Sequence, residues 1–167
     1  MNIELLKETL DNYNKLTALL IEKNLSISAM ESCTSGLIAT LITNIDNSSK
    51  VFNCGAVTYS NTAKINQGVS ENIINKYGVY SYETSIEMAR AIKEKANSNI
   101  SIGITGSLGI ADPKNLDSKP GEVYYTIDYL EPKSYFIEVS NQGSKFSNKL
   151  YTANIVCLEL LKQLEQK

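Results

Sequence analysis

Ser32, Tyr59 and Lys64 are the residues of this chain whose types and spacing can carry out covalent chemistry together. The chain has no histidine, which removes Ser-His-Asp and Cys-His catalysis and most zinc and iron sites. A serine nucleophile then needs another base. Lysine can serve when burial or a positive field lowers its pKa, and tyrosine can relay a proton or orient the lysine. Lys64 lies five residues after Tyr59, across a strand-to-helix turn, so both can face one pocket. Ser32 stands in Met30-Glu31-Ser32-Cys33-Thr34-Ser35-Gly36, between an apolar alternation (Leu25 to Met30) and an apolar run with helical spacing (Leu37, Ile38, Leu41, Ile42). Backbone N–H groups at such a turn favour a developing oxyanion. On residue types alone a plainer reading competes: Thr34 or Ser35 as helix caps, Tyr59 as a half-buried strand end, Lys64 as a solvated helix residue. Cys33 could gain nucleophilicity beside a helix start, but with no histidine as its base it ranks below Ser32. Cys54 and Cys157 form no CxxC pattern with it and read as incidental thiols of a reducing compartment.

The rest of the composition sets bounds. A chain of 167 residues fits one domain with a real core. A net charge of −2 leaves no electrostatic footprint for nucleic acid or an anionic membrane. No apolar run approaches the length of a bilayer span, and the acidic, helix-patterned stretch from Met1 to Lys23 does not read as a targeting peptide. A cytoplasmic location is the expectation.

The elements that must position these residues follow from periodicity. Residues 3 to 23 read as an amphipathic helix with Ile3, Leu6, Leu10, Tyr13, Leu16 and Leu20 on one stripe. Leu25 to Met30 is the first strand, and Gly36 to Thr43 the helix behind the polar turn. Val51 to Tyr59 is a strand interrupted by Gly55, Ser70 caps a short helix through Lys76, and Tyr82 to Ala96 is a longer one. Ile100 to Thr105 is an alternating strand. Ser107 to Pro120 has no apolar period, and a loop that long is either functional or mobile. Val123 to Tyr129 and Ser134 to Val139 form a hairpin through Leu130 to Lys133. The last helix runs from Ser144 to Leu164, with Phe146, Leu150, Ala153, Cys157, Leu160 and Leu164 as its stripe. Helices alternating with strands, then a late hairpin, indicate α/β: a single three-layer α/β/α domain, 1–167, on a mixed, mostly parallel sheet. Ligands gather beyond the carboxyl ends of strands in such sheets, where three polar turns fall: Ser32 to Gly36, Tyr59 to Lys64, and Thr105 to Gly109.

The chain resembles the C-terminal domain family of the competence/damage-inducible protein CinA, which includes the stand-alone nicotinamide-nucleotide amidases. The family's Glu-Ser-Cys-Thr-Gly-Gly segment reads Glu31-Ser32-Cys33-Thr34-Ser35-Gly36 here, and its second signature reads Val57-Thr58-Tyr59-Ser60-Asn61-Thr62-Ala63-Lys64. Ser48-Ser49, Phe52, Gly68-Val69, Ser81, Glu87-Met88-Ala89, Thr105-Gly106, Lys119-Pro120 and Val123-Tyr124 match as well. The resemblance implies hydrolysis of the carboxamide of nicotinamide mononucleotide to nicotinate mononucleotide and ammonia. It places the catalytic serine on Ser32 and its partners on Tyr59 and Lys64. Substrate contacts are expected from Glu31, Cys33, Thr34, Ser35, Gly36, Asn61, Thr105 and Gly106. No metal or organic cofactor is implied; the partner is a small nucleotide, with no nucleic acid or membrane and with homo-oligomerisation open.

Three departures from the family bear on substrate choice. Ser35 replaces a glycine, Ile110-Ala111-Asp112-Pro113-Lys114-Asn115 replaces a glycine- and proline-rich loop, and Lys145 and Lys149 stand near the last helix where the family carries arginines. Two other readings therefore stay open: a nucleotide-binding or partner-binding module of the same fold without the activity, and an amidase for a different amide.

Overall fold

The computed structural model describes residues 2–140 and 142–166. Five strands form one sheet in the order β2-β1-β3-β4-β5: β1 (Ile27–Glu31), β2 (Phe52–Val57), β3 (Ile100–Gly106), β4 (Glu122–Asp128) and β5 (Pro132–Glu138). β1 pairs in parallel with β2 and β3, while β4 is antiparallel to β3 and to β5. Only β4 therefore runs against the rest, which makes the sheet mixed with most strands pointing one way.

The two-residue period of the strands sorts the helices into two layers. Ile27 and Ala29 of β1, Ile100, Ile102 and Ile104 of β3, and Val123, Tyr125 and Ile127 of β4 pack with α1 (Ile3–Glu22), α2 (Leu37–Thr43) and α6 (Lys145–Glu165) in the main core. The alternate positions face α4 (Glu71–Tyr77) and α5 (Tyr82–Ala96), where Met30 packs with Val69, Ile74, Val79, Met88 and Ile92. This second layer is partly polar. Ser28 and Ser101 donate to carbonyls of α5, and the Thr126 and Ser85 hydroxyls lie 2.7 Å apart.

α5 sits directly on β3 because residue 103 is a glycine. A Cβ there would fall 2.3 Å from the Ser85 carbonyl oxygen and 2.4 Å from the Ala89 nitrogen. Gly103→Ala must push the helix off the sheet, so the variant is expected to lose about 2–3 kcal/mol of stability, read as a lowered urea midpoint. An unchanged midpoint would show that the layer yields at no cost.

Several boundaries differ from the sequence reading for local reasons. α1 closes with Asn24 at φ +52° and a Leu25 N–H bond to the Leu20 carbonyl, so residues 23–25 terminate the helix and the strand starts at Ile27. Ile3 and Phe146 are exposed rather than on buried stripes; Leu5 and Thr9 take the buried places at the start of α1. The hairpin turn is shorter than expected, because Pro132 already pairs with Asp128 at the start of an edge strand, a place where proline is tolerated.

Candidate functional site

Adjacent residues at the end of β1 are sent to opposite sides of the sheet. Glu31 faces α2: one carboxylate oxygen accepts from the N–H groups of Gly36 and Ile38 (both 3.1 Å), and the other from Ala39 (2.8 Å). Ser32 faces the other way. Its own N–H is held by the Ile104 carbonyl of β3 at 3.0 Å, which fixes the first residue beyond the strand. The turn that follows needs two left-handed residues, Ser35 (φ +55°) and Gly36 (φ +87°), before α2 begins. The Ser35 hydroxyl accepts from Lys149 at 3.0 Å.

The lysine is brought in by a helix of six residues, α3 (Asn61–Asn66), that starts just beyond β2. Ser60 caps it by accepting from the Ala63 N–H at 3.1 Å. One turn in, Lys64 is only 1% exposed, so it is not the solvated residue that its type suggests. Its ammonium donates to the Ser32 hydroxyl at 3.0 Å and to the Thr58 carbonyl at 2.8 Å. Burial lowers the Lys64 pKa from its ordinary value to about 8, against opposing contributions from Cys33 and Asp112. The Cys33 thiol is moved the other way, up to about 12, chiefly by burial and then by the Glu31 charge. At neutral pH the cysteine is therefore a protonated neighbour of the serine, and the lysine is the group poised to exchange a proton.

Ser32 opens into a cavity of about 710 Å³. Its walls come from the three turns at the carboxyl ends of β1, β2 and β3 and from the loop that follows β3. Tyr59, Asn61, Gly106, Asp112, Asn115 and Lys145 are among the lining residues. The 107–120 loop is tied down. Asp112 accepts from the Tyr80 hydroxyl (3.1 Å), the Asn115 side-chain amide (2.6 Å) and the Lys114 N–H (2.9 Å), and Asn61 donates to Asn115 at 3.0 Å. Asn148 of α6 holds the Leu108 carbonyl at 2.9 Å.

Of the residues singled out in the sequence, the structure brings Ser32 and Lys64 into direct contact and places Cys33, Tyr59, Asn61 and Gly106 on the cavity wall. Tyr59 is 61% exposed, and its hydroxyl receives a hydrogen bond from Lys145 at 3.4 Å rather than from Lys64. Glu31, Thr34, Ser35, Gly36 and Thr105 are not on the wall. The Glu31 carboxylate is committed to α2, and Thr105 donates to the Val79 carbonyl at 3.0 Å. Thr34 is buried with its hydroxyl unpartnered among the described residues. The sequence reading missed Thr58, whose carbonyl is the second anchor of the lysine, and Tyr80 and Asp112. A backbone contact leaves no trace in residue type; an acidic residue at the head of an Asp-Pro turn inside a long loop was the available signal for Asp112. Among the described residues no group of three or more His, Cys, Asp or Glu side chains is gathered to hold a metal ion. No helix among them is long and apolar enough to cross a membrane.

Comparison with known proteins agrees with this architecture. The CinA C-terminal domain model matches residues 10–164. A competence-damage inducible protein of Clostridium beijerinckii is 42% identical over 149 residues, covering 87% of this chain and 35% of that protein. One from Halothermothrix orenii is 34% identical over 155 residues, covering 91% and 37%. The chain thus spans about a third of the length of these curated relatives. Among solved structures, a competence/damage inducible protein from Agrobacterium tumefaciens superposes with a TM-score of 0.84 at 26% identity, over 95% of this chain and 96% of that one. A CinA superfamily protein from Klebsiella pneumoniae gives 0.87 at 20% identity, over 95% and 99%. With a family match running through nearly every element that builds the cavity, the chain belongs to the CinA C-terminal domain family.

Proposed function

We propose that the chain is a serine amidase that hydrolyses the carboxamide of nicotinamide mononucleotide. The observation that carries this reading is the buried Lys64 amine, 3.0 Å from the Ser32 hydroxyl beside a cavity of about 710 Å³. In its neutral form Lys64 accepts the Ser32 proton as the oxygen attacks the amide carbon. The Thr58 carbonyl keeps the amine aimed at the serine through the transfer. The N–H groups of Cys33 and Thr34, which lie toward the Cys33 sulfur and enter no backbone–backbone bond, are the donors nearest in sequence to the developing oxyanion. Lys64 then returns the proton to the departing nitrogen, ammonia leaves, and water, deprotonated by the same amine, releases the acid and restores Ser32. Tyr59 and Lys145 stand on the substrate side of the cavity, where Lys145 suits an anionic group such as a phosphate. We place the reaction in the cytoplasm, which suits three unpaired thiols.

The direct test is ammonia release from nicotinamide mononucleotide by the purified protein, with Ser32→Ala alongside. Release by the wild type and none by the variant is expected; equal release from both would remove Ser32 from the mechanism. A panel of other amides decides between this substrate and a different one. The pH profile is a further check. Because only the neutral amine can act as base, kcat/KM is expected to rise about tenfold per pH unit below about 8 and to level off above it. A profile flat between pH 6 and 9 would show that Lys64 is not the titrating group.

A further inference from the structure

Asp112 is the only acidic residue among those lining the cavity, which otherwise carries Lys114 and Lys145 as its charged groups. A carboxylate is an odd choice for a pocket that takes an anionic nucleotide, unless another part of the substrate is positive. As a turn residue its work is done by one oxygen, which accepts from the Lys114 N–H two residues on, and an asparagine would serve equally there. The other oxygen is held by the Tyr80 hydroxyl and the Asn115 amide, both from the cavity wall. The Lys114 N–H above all, then the Asn115 amide and the Tyr80 hydroxyl, hold the carboxyl below its usual range, and its charge is felt at Lys64. Two tyrosine rings, Tyr59 and Tyr80, line the same space. A fixed carboxylate in the wall of a cavity that two tyrosines also line favours a cationic ring by its charge, and a tyrosine face adds to that attraction.

We propose that Asp112 is the specificity-determining residue of the cavity, selecting a carboxamide carried on a positively charged heteroaromatic ring over the same carboxamide on a neutral ring. The inference rests on the amidase reading of Ser32 and Lys64, but recognition is separable from turnover. The probe pair is nicotinamide mononucleotide and its reduced form, which share carboxamide, ribose and phosphate and differ in the charge of the ring. Dissociation constants are measured by calorimetry on Ser32→Ala and on Ser32→Ala with Asp112→Asn, and ammonia release on wild type and Asp112→Asn. Ser32→Ala is expected to bind the cationic ring about tenfold more tightly than the neutral one. Asp112→Asn keeps the Lys114 N–H bond of the turn and obliges the Tyr80 hydroxyl and Asn115 amide to reorient; it is expected to abolish that preference by weakening the cationic ring selectively. Equal weakening of both ligands, an unchanged preference, or no binding of either nucleotide overturns the proposal. If the preference behaves as expected while the wild type releases no ammonia, the amidase reading falls and the recognition role of Asp112 stands. If ammonia is released but Asp112→Asn leaves the preference intact, the reverse holds.

Discussion

Lys64→Met is expected to lower kcat for amide hydrolysis by about 10³-fold or more while leaving the fold intact and its stability unchanged or raised. The two halves of this expectation come from the same contact. Methionine keeps the unbranched apolar stem in a site where Lys64 is 1% exposed, but removes the amine that contacts Ser32 at 3.0 Å. Without it the serine has no base, since the chain has no histidine and Tyr59 bonds to Lys145. On the stability side, burial lowers the amine's pKa from its ordinary 10.5 to about 8. A group that is harder to protonate folded than unfolded makes the unfolded state the better proton binder between those values. Wild-type stability therefore rises with pH from about 8 to about 10, and below 8 the charged amine opposes folding by roughly 3 kcal/mol. Lys64→Met removes that opposition, so its thermal midpoint at pH 7 should equal or exceed the wild type's. The double variant should be no slower than Ser32→Ala alone, because the pair acts as one unit. A variant that unfolds, or one that keeps a tenth of the activity, would place the lysine in a structural role instead.

The fold was legible because its periodicities are clean. Apolar runs and alternation placed the five strands, the helical spacing of α1, α5 and α6 placed the longer helices, and the order of strands and helices implied the layers. The polar turns at the ends of β1, β2 and β3 could be expected to converge because parallel strands share a carboxyl edge. What periodicity cannot carry is the direction of one side chain on a short helix. Lys64 reads as a surface residue until the register of β1 on β2 shows that α3 must lay it beside Ser32. The direction of Tyr59 is set in the same way: its spacing from Lys64 suits a shared pocket, which it does line, but its hydroxyl at the end of β2 meets Lys145 of α6 rather than Lys64. The 107–120 loop lacked any period, and its order comes from side-chain bonds to Tyr80, Asn61 and Asn148, partners far off in sequence.

Glu31, a residue of the signature motif expected to contact substrate, has its carboxylate bonded within the protein. Its carboxylate is 1% exposed and takes three N–H groups of the first turn of α2 and its approach. These are the orphan donors that any helix start must satisfy, and the turn itself supplies no side-chain cap, since its cap residue is Gly36. A buried negative charge tolerates this place only because the amides solvate it. Glu31→Ala would strand the donors of Gly36, Ile38 and Ala39 at once, and the loss of stability is expected to be about 3–5 kcal/mol. Glu31→Gln should cost less, since one oxygen remains, but its amide must turn a donor toward donors, so the fold cannot fully recover. Both variants loosen the chain from Ser32 to Gly36, and turnover should fall even where the protein remains folded, with the substrate's affinity less affected than kcat. Urea unfolding followed by ammonia release at a denaturant-free, fully folded temperature separates the two effects. Wild-type stability in Glu31→Ala would show that water reaches these amides and that the carboxylate has another purpose; a stability loss with unaltered kcat would show that the serine is held by its Ile104 bond alone.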